Sequence, residues 1–360
     1  MNTYEQRLFL QLCRPESFDR DIMAALLPQY ADAEVLGQLF FNRMQGVAYT
    51  VLQKAELIGR VHREFSGSLR GAYEQNVERN KSYLKCLRLL SGALRDCAGR
   101  YAALKGARLC LEYPRGCRTS NDVDILVSGE DITRIGRALS AAGFRQGWIR
   151  DGRFDPASRA QIVESRMLRG ETVPYILEVG LPYMRFLEVD VNFSMDYKNG
   201  SSDVVSRILA DSVQLDLGGC TIPVPSRHDF FIHLCAHLYK EMTALPWVRM
   251  RRDMSMYKFC DIYMLVRRFN CSDADFMFAR AEELGLQAEC CCAVLWTDAL
   301  LPVKGSRAAE LARQKLKGRQ ELLHTVVAPS EKTVYVYEDR DVASRFFSPD
   351  RTALLREVKE

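Results

Sequence analysis

The chain lacks any apolar run long enough to span a bilayer, so no transmembrane helix is expected among its 360 residues. Its first stretch, MNTYEQRLFLQLCRPESFDR, is polar and acidic within the first turns and does not read as a secretory signal. Twelve cysteines are too sparse for a disulfide scaffold, and their spacing contains no CxxC pair and no zinc knuckle. They read as reduced thiols of a cytoplasmic protein, and adjacent Cys290, Cys291 and Cys292 as core filling, since neighbours on a helix face three directions. There is no internal repeat, no low-complexity tract and no strong charge. The formal net charge of +4 permits an anionic ligand or nucleic acid without arguing for either. At 48% hydrophobic and 27% charged, the composition is that of a globular protein.

What is present is organised around LKGARLCLEYPRGCRTSNDVDILV, residues 104 to 127. A short apolar run ends at Lys105-Gly106, a helical segment and a polar loop follow, and Asp122-Val123-Asp124 opens an apolar strand. Alternation along a strand puts Asp122 and Asp124 on one face and Val123 and Ile125 on the other. Two carboxylates on one face repel, and a divalent cation is the simplest compensation. A later segment, LEVDVNF (187 to 193), alternates the same way, with Glu188, Asp190 and Asn192 on one face. If the two strands are neighbours, Asp190 reaches the same cations, and three carboxylates suffice for two hard ions with oxygen ligands. Lys105-Gly106 suits a polyphosphate: glycine permits close backbone approach, a helix N-terminus favours anions and lysine adds a point charge. Arg118 either contacts phosphate or braces Asp122.

Around this stretch, residues 1–98 read as helix almost throughout, with Val61 to Ala98 as one long helix tolerating Gly67, Gly71 and Gly92, and with Pro15 and Pro28 as punctuation. From Tyr101 to Val224 strand and helix alternate. Asp151 to Arg159 is polar and expected as loop, and Val213 to Val224 as a hairpin turning at Gly218-Gly219. Helical pattern resumes after Pro225, with Ser226 as N-cap, and runs to about Leu323. The expected architecture is α+β: a small mixed-sheet core (99–224) between an N-terminal helical region (1–98) and a C-terminal helical region (225–325), followed by a charged segment (326–360) whose elements are hard to assign.

A glycine-containing turn after a strand, a helix, hydrophobic-Asp-hydrophobic-Asp and a third carboxylate on a later strand together resemble the DNA polymerase beta superfamily of nucleotidyltransferases. More narrowly, LKG…Y…R…DVDILV…D…L…GF is similar to an uncharacterised bacterial nucleotidyltransferase family, and PSRHDFFIHLCAHLYKE, with Asp261 in FCDIYMLV, resembles its C-terminal helical part. The resemblance implies Asp122, Asp124 and Asp190 as catalytic metal ligands for two Mg²⁺, Mn²⁺ being the other ion such a site accepts. It implies Lys105, Gly106 and Arg118 as nucleotide contacts, and an NTP such as ATP as the substrate. The reaction implied is transfer of an NMP to an acceptor hydroxyl with release of pyrophosphate, the acceptor being a small molecule, a protein or RNA. Ala107 stands where the superfamily usually has serine, and Asn192 where the narrower family often has histidine. Two other readings stay open: a non-catalytic binding or regulatory protein of the same fold, and a sugar-nucleotide glycosyltransferase, since those enzymes also carry DxD pairs.

Other clusters have plainer readings. Glu188 and Glu178 read as solvent-facing. His233 and His237, four apart on one helix face, lack the glutamate of an HExxH motif and read as packing. Arg249, Arg251, Arg252, Arg267 and Arg268 read as a solvated basic face, with RNA as the sharper alternative.

Overall fold

The computed structural model describes residues 1–168, 170–195, 202–328 and 333–358. They form two compact units: residues 74–230, and residues 1–73 together with 231–360.

The unit of residues 74–230 is built on a six-stranded sheet. Its strands are β1 (Tyr101–Ala103), β2 (Asp122–Val127), β3 (Arg145–Arg150), β4 (Arg153–Pro156), β5 (Tyr175–Leu181) and β6 (Met184–Asn192), in the order β1-β2-β6-β5-β3-β4. Only β2 and β6 run parallel; every other pairing is antiparallel. A separate hairpin joins β7 (Val213–Asp216) to β8 (Thr221–Val224). Gly218 and Gly219 at its turn have φ of +70° and +98°, a region glycine enters without steric cost.

Alternation decides which face of the sheet is the core. Val123, Ile125 and Val127 of β2 and Leu187, Val189 and Val191 of β6 are buried in one hydrophobic cluster. The same cluster takes in Leu87 and Leu90 of the Arg63–Ala93 helix, Leu94 just after it, and Ile135 and Leu139 of the Ile132–Ala141 helix. Each such side chain contributes roughly 1.5–3 kcal/mol. From residue 74 onward the long helix is also tied to this unit by polar contacts. Ser82 Oγ donates to the Pro182 carbonyl at 2.8 Å, Ser91 Oγ to Thr221 O at 2.8 Å, and Arg88 Nη2 to Leu217 O at 2.6 Å. Gly67, Gly71 and Gly92 lie within this helix where an added β-carbon would meet no other group within 4 Å, so they cost it propensity without serving a close contact.

Two elements here depart from the sequence expectation. Asp151 to Arg159, expected as loop, contains β4, which pairs with β3 at the sheet edge; Pro156 is compatible with an edge, where its missing N–H breaks no ladder. An additional helix spans Arg159–Leu168.

In the other unit, the helices Thr3–Leu12, Arg20–Tyr30 and Ala33–Phe41 each start at a side-chain cap, Asn2, Asp19 and Asp32 respectively. Pro28 lies inside the last turn of the second and does not break it. Helices Met256–Val266, Cys271–Glu283, Gln287–Leu300 and Arg307–Lys315 follow, and Cys290, Cys291 and Cys292 are all buried, as core filling requires. The hard-to-assign C-terminal segment supplies a three-stranded antiparallel sheet, β9 (Thr325–Ala328), β10 (Thr333–Tyr337) and β11 (Leu355–Val358), with a helix at Val342–Phe347. It is anchored by a buried ion pair in which Arg351 grips Asp253 through Nη2 at 2.7 Å and Nε at 2.9 Å. Among the described residues, no helix is long and apolar enough to cross a membrane.

Candidate functional site

The parallel pairing of β2 with β6 sets Asp124 opposite Asp190, Asp122 opposite Glu188 and Leu126 opposite Asn192. Because both strands alternate in the same phase, the four carboxylates share one face of the sheet, the face opposite the hydrophobic cluster. The three residues assigned to metal from sequence are thus neighbours. Asp124 is buried, Asp190 half-buried, and Asp122 is open to solvent.

Their electrostatics are those of like charges held together. Removal from water raises the Asp190 carboxyl well above its ordinary 3.8, and the charges of Asp124, Asp122 and Glu188 add to this. Asp122 is raised first by its protein surroundings and then by Asp124, with Lys105 and Arg118 working the other way. Glu188 is raised by burial, then by Asp122 and Asp124. Lys105 and Asn192 answer this charge with hydrogen bonds. Lys105 Nζ donates to Asp124 Oδ1 at 3.0 Å, and Asn192 Nδ2 lies 3.4 Å from the same oxygen while donating to the Asp190 carbonyl at 3.2 Å. Lys105, expected at a phosphate, is therefore also the counter-ion of a carboxylate, and Asn192 joins the site in its own right.

Lys105 is held there by an unusual backbone. The Leu104 amide donates to the Asp124 carbonyl at 2.8 Å, continuing the β1–β2 ladder, and the chain then turns sharply at Lys105, with φ +37° and ψ −103°, into the Gly106–Glu112 helix. A non-glycine residue at positive φ carries strain of order 1–3 kcal/mol, and such strain clusters at functional sites. The reason for Gly106 is close packing: a β-carbon there would lie 2.1 Å from Ser120 Oγ and 2.6 Å from the Tyr83 hydroxyl. The neighbours that need the space are side chains of this protein, Tyr83 from the long helix, where spacing marks it as a core position, and Ser120 from the polar loop. The Tyr83 side chain is buried, its hydroxyl has no hydrogen-bond partner among the described residues, and burial pushes its pKa well up.

Arg118 sits on the loop that delivers Asp122. Asn76 Nδ2 donates to the Gly116 carbonyl at 3.0 Å and fixes this loop, and Arg118 Nη1 donates to the carbonyl of Thr119. Its charge lowers the pKa of Asp122, so it lies within electrostatic reach of the carboxylates.

Among the described residues, no group of three or more His, Cys, Asp or Glu closes into a metal cage. The donor set is nevertheless suited to Mg²⁺, which takes one or two carboxylates and completes its shell with water and substrate phosphates.

Beyond Asp190 a cavity of about 430 Å³ opens over the β5–β3 side of the sheet, lined among others by Trp148, Arg150, Gln161, Glu164 and Glu171. Its walls come from β3 and from the helix at Arg159–Leu168 that the sequence reading passed over.

The remaining sequence candidates sit in the other unit. His233 and His237 stack with ring centroids 6.2 Å apart, and His237 Nε2 lies 3.3 Å from Glu241 Oε1, an arrangement of packed helix residues. Asp261 is buried. Arg249, Arg251, Arg252 and Arg268 are exposed, while Arg267 stacks on Tyr263 and donates to its hydroxyl at 2.8 Å.

Comparison with known families decides the class. The family model described as uncharacterised nucleotidyltransferase matches residues 31–302. The chain belongs to this nucleotidyltransferase family. The match covers the sheet, all three aspartates, Lys105 and Gly106, and extends over helices on both sides. It makes the protein an enzyme of the nucleotidyltransferase class and favours that reading over the glycosyltransferase and non-catalytic ones. No curated protein matches the chain.

Proposed function

We propose that this nucleotidyltransferase moves an NMP from a nucleoside triphosphate, ATP being the first to test, to an acceptor hydroxyl, on the architecture of the DNA polymerase beta superfamily. The parallel register of Asp124 with Asp190 carries the reading, because it gathers Asp122, Asp124 and Asp190 on one face next to Lys105. Asp122 and Asp124 would hold Mg²⁺ on the triphosphate side and Asp190 would hold it on the acceptor side. Bound there, Mg²⁺ supplies charge neutralisation for the phosphates and lowers the pKa of the attacking hydroxyl.

The chain's own groups do the rest. Lys105, which donates to Asp124, would supply its charge to the polyphosphate. Asn192 keeps Asp124 oriented. Asp190 accepts the proton of the acceptor hydroxyl, directly or through water. The acceptor oxygen forms its bond to the α-phosphorus, the bond from that phosphorus to the bridging oxygen breaks, and the electron pair leaves with pyrophosphate.

The test is a pair of labels. Incubated with a cell extract and Mg²⁺, the protein should pass label from α-labelled ATP to a stable product and release label from γ-labelled ATP as pyrophosphate. Asp122→Ala and Asp124→Ala should do neither. Transfer of the γ-label, or full turnover by either variant, would refute the assignment.

A further inference from the structure

We infer that Arg345, Tyr337 and His324, in the unit that carries the C-terminal sheet, form a binding site for a small inorganic oxyanion of the phosphate or sulfate kind. The site is separate from the nucleotidyl-transfer centre and does not depend on that reading. Arg345, on the Val342–Phe347 helix, is 1% exposed. Its guanidinium lies over the Tyr337 ring, with Cζ 4.7 Å from the centroid, and Nη1 donates to the Leu323 carbonyl at 3.3 Å. These contacts use one face and one corner of the group. The remaining edge, Nε with Nη2, is buried and has no hydrogen-bond partner among the described residues. The same chain shows what such an edge accepts. Arg351 grips Asp253 through the same two nitrogens, Nε at 2.9 Å and Nη2 at 2.7 Å. Two parallel N–H groups match two oxygens of one oxyanion.

The neighbours of Arg345 carry orphaned polar atoms of their own. The Tyr337 hydroxyl and His324 Nδ1 are buried with no hydrogen-bond partner among the described residues. The Tyr337 amide donates to the His324 carbonyl at 2.9 Å, continuing the β9–β10 register, so the two residues are opposed and share a face of the sheet. This is the end of the ladder away from the Thr333–Ala328 pair. Burial, and then the charges of Arg345 and Arg340, bring the His324 pKa down to about 4, so the imidazole is neutral at neutral pH and sits in a positive potential. Asp253, Asp339 and Asp341 act on Arg345 only from beyond ion-pair distance, and each is held by another group. Asp253 pairs with Arg351, Asp339 accepts from Ser344 and from the Asp341 amide, and Asp341 caps its helix. Water at the Nε–Nη2 edge would satisfy hydrogen bonds but not the charge, and a buried cation without a counter-charge is costly. An oxyanion answers both, and it would tie the Val342–Phe347 helix to the sheet.

Inorganic phosphate is the probe. In thermal scans of the full-length protein at matched ionic strength, exchanging chloride for phosphate should raise the melting temperature of the wild type by about 2 °C or more beyond the rise seen in Arg345→Met. The comparison removes the general stabilising effect of phosphate as a salt, and any phosphate held at Lys105, because both act on the two proteins alike. Tyr337→Phe, which keeps the ring and loses only the hydroxyl, should show a smaller rise than the wild type. Equal rises in the wild type and a folded Arg345→Met overturn the inference. A second measurement needs no variant. Crystals of the wild type grown with selenate should give an anomalous scattering peak within hydrogen-bonding distance of Arg345 Nε and Nη2. Ordered water at that edge with no such peak overturns the inference equally.

Discussion

Asp124 on β2 and Asp190 on β6 are directly paired residues of two parallel strands. The charge of Asp124 raises the cost of ionising both Asp190 and Asp122. The carboxyl of Asp190 is lifted well above 3.8 and that of Asp122 is raised too, so the folded, metal-free chain retains protons that the unfolded chain has released. Where the native state binds more protons, stability falls as pH rises. In denaturant melts without divalent ions, the site's stability contribution is therefore best at acidic pH and is lost as pH climbs from the ordinary carboxylate range through the raised values. Asp190→Asn removes part of this dependence and is more stable than wild type at neutral pH. Identical pH slopes in the two proteins would contradict the account.

Lys105 competes with a cation for Asp124. Its ion pair is partly exposed, worth roughly 0.2–1 kcal/mol, or up to about fivefold in an equilibrium. Lys105→Met should therefore bind Mg²⁺ alone up to about fivefold more tightly, while binding Mg²⁺·ATP more weakly because a phosphate contact is gone. Calorimetric titrations with and without nucleotide read both effects, and a change of the same sign in both would rule out the dual role.

Gly106→Ala drives a β-carbon into Ser120 and Tyr83. Overpacking of this kind costs about 1–3 kcal/mol. Ser120→Gly in the same chain should return part of the loss, because the 2.1 Å contact disappears while the contact to Tyr83 remains. Strict additivity of the two substitutions would show that Gly106 is needed for something else.

In the other unit, the buried Lys258 ammonium is hydrogen-bonded to Glu241 and donates to the Arg252 carbonyl at 3.1 Å. Burial alone would raise the Glu241 pKa, but His237 and Lys258 outweigh it and bring it to about 2. A lowered carboxyl contributes stability above its unfolded value of 4.5, and this contribution is lost as pH falls toward about 2. Lys258→Met strands a buried carboxylate and should cost about 3–5 kcal/mol in urea melts at neutral pH, with Glu241→Gln in the same chain recovering much of it.

How much of this was legible follows from the range of the interactions. The face shared by Asp122 and Asp124, and that shared by Glu188, Asp190 and Asn192, are properties of single strands, and alternation reveals them. The hairpin at Gly218-Gly219 and the Ser226 cap, whose Oγ accepts the Asp229 amide at 3.2 Å, are equally local. What packs against Gly106 is not local: Tyr83 comes from the preceding long helix, where its spacing marks only a core position. β4 was invisible because an edge strand of four residues with Arg, Asp and Pro needs no apolar alternation. The Arg159–Leu168 helix was missed for a related reason: Val163 and Met167, the residues that would give it an apolar stripe, are exposed. The C-terminal strands are four or five residues long and leave Val327, Val334 and Val358 exposed, so they too lack a readable period.

The most direct test of the central claim is calorimetric titration of Mg²⁺·ATP into the wild type and into Asp124→Asn and Asp190→Asn, with circular dichroism as the check on folding. Wild type should bind only with Mg²⁺ present. Both variants should stay folded, and each should lose affinity on the order of a hundredfold, the scale of a preorganised electrostatic contact. Unchanged affinity in either folded variant, or binding that ignores Mg²⁺, would contradict a site built on the Asp124–Asp190 pair.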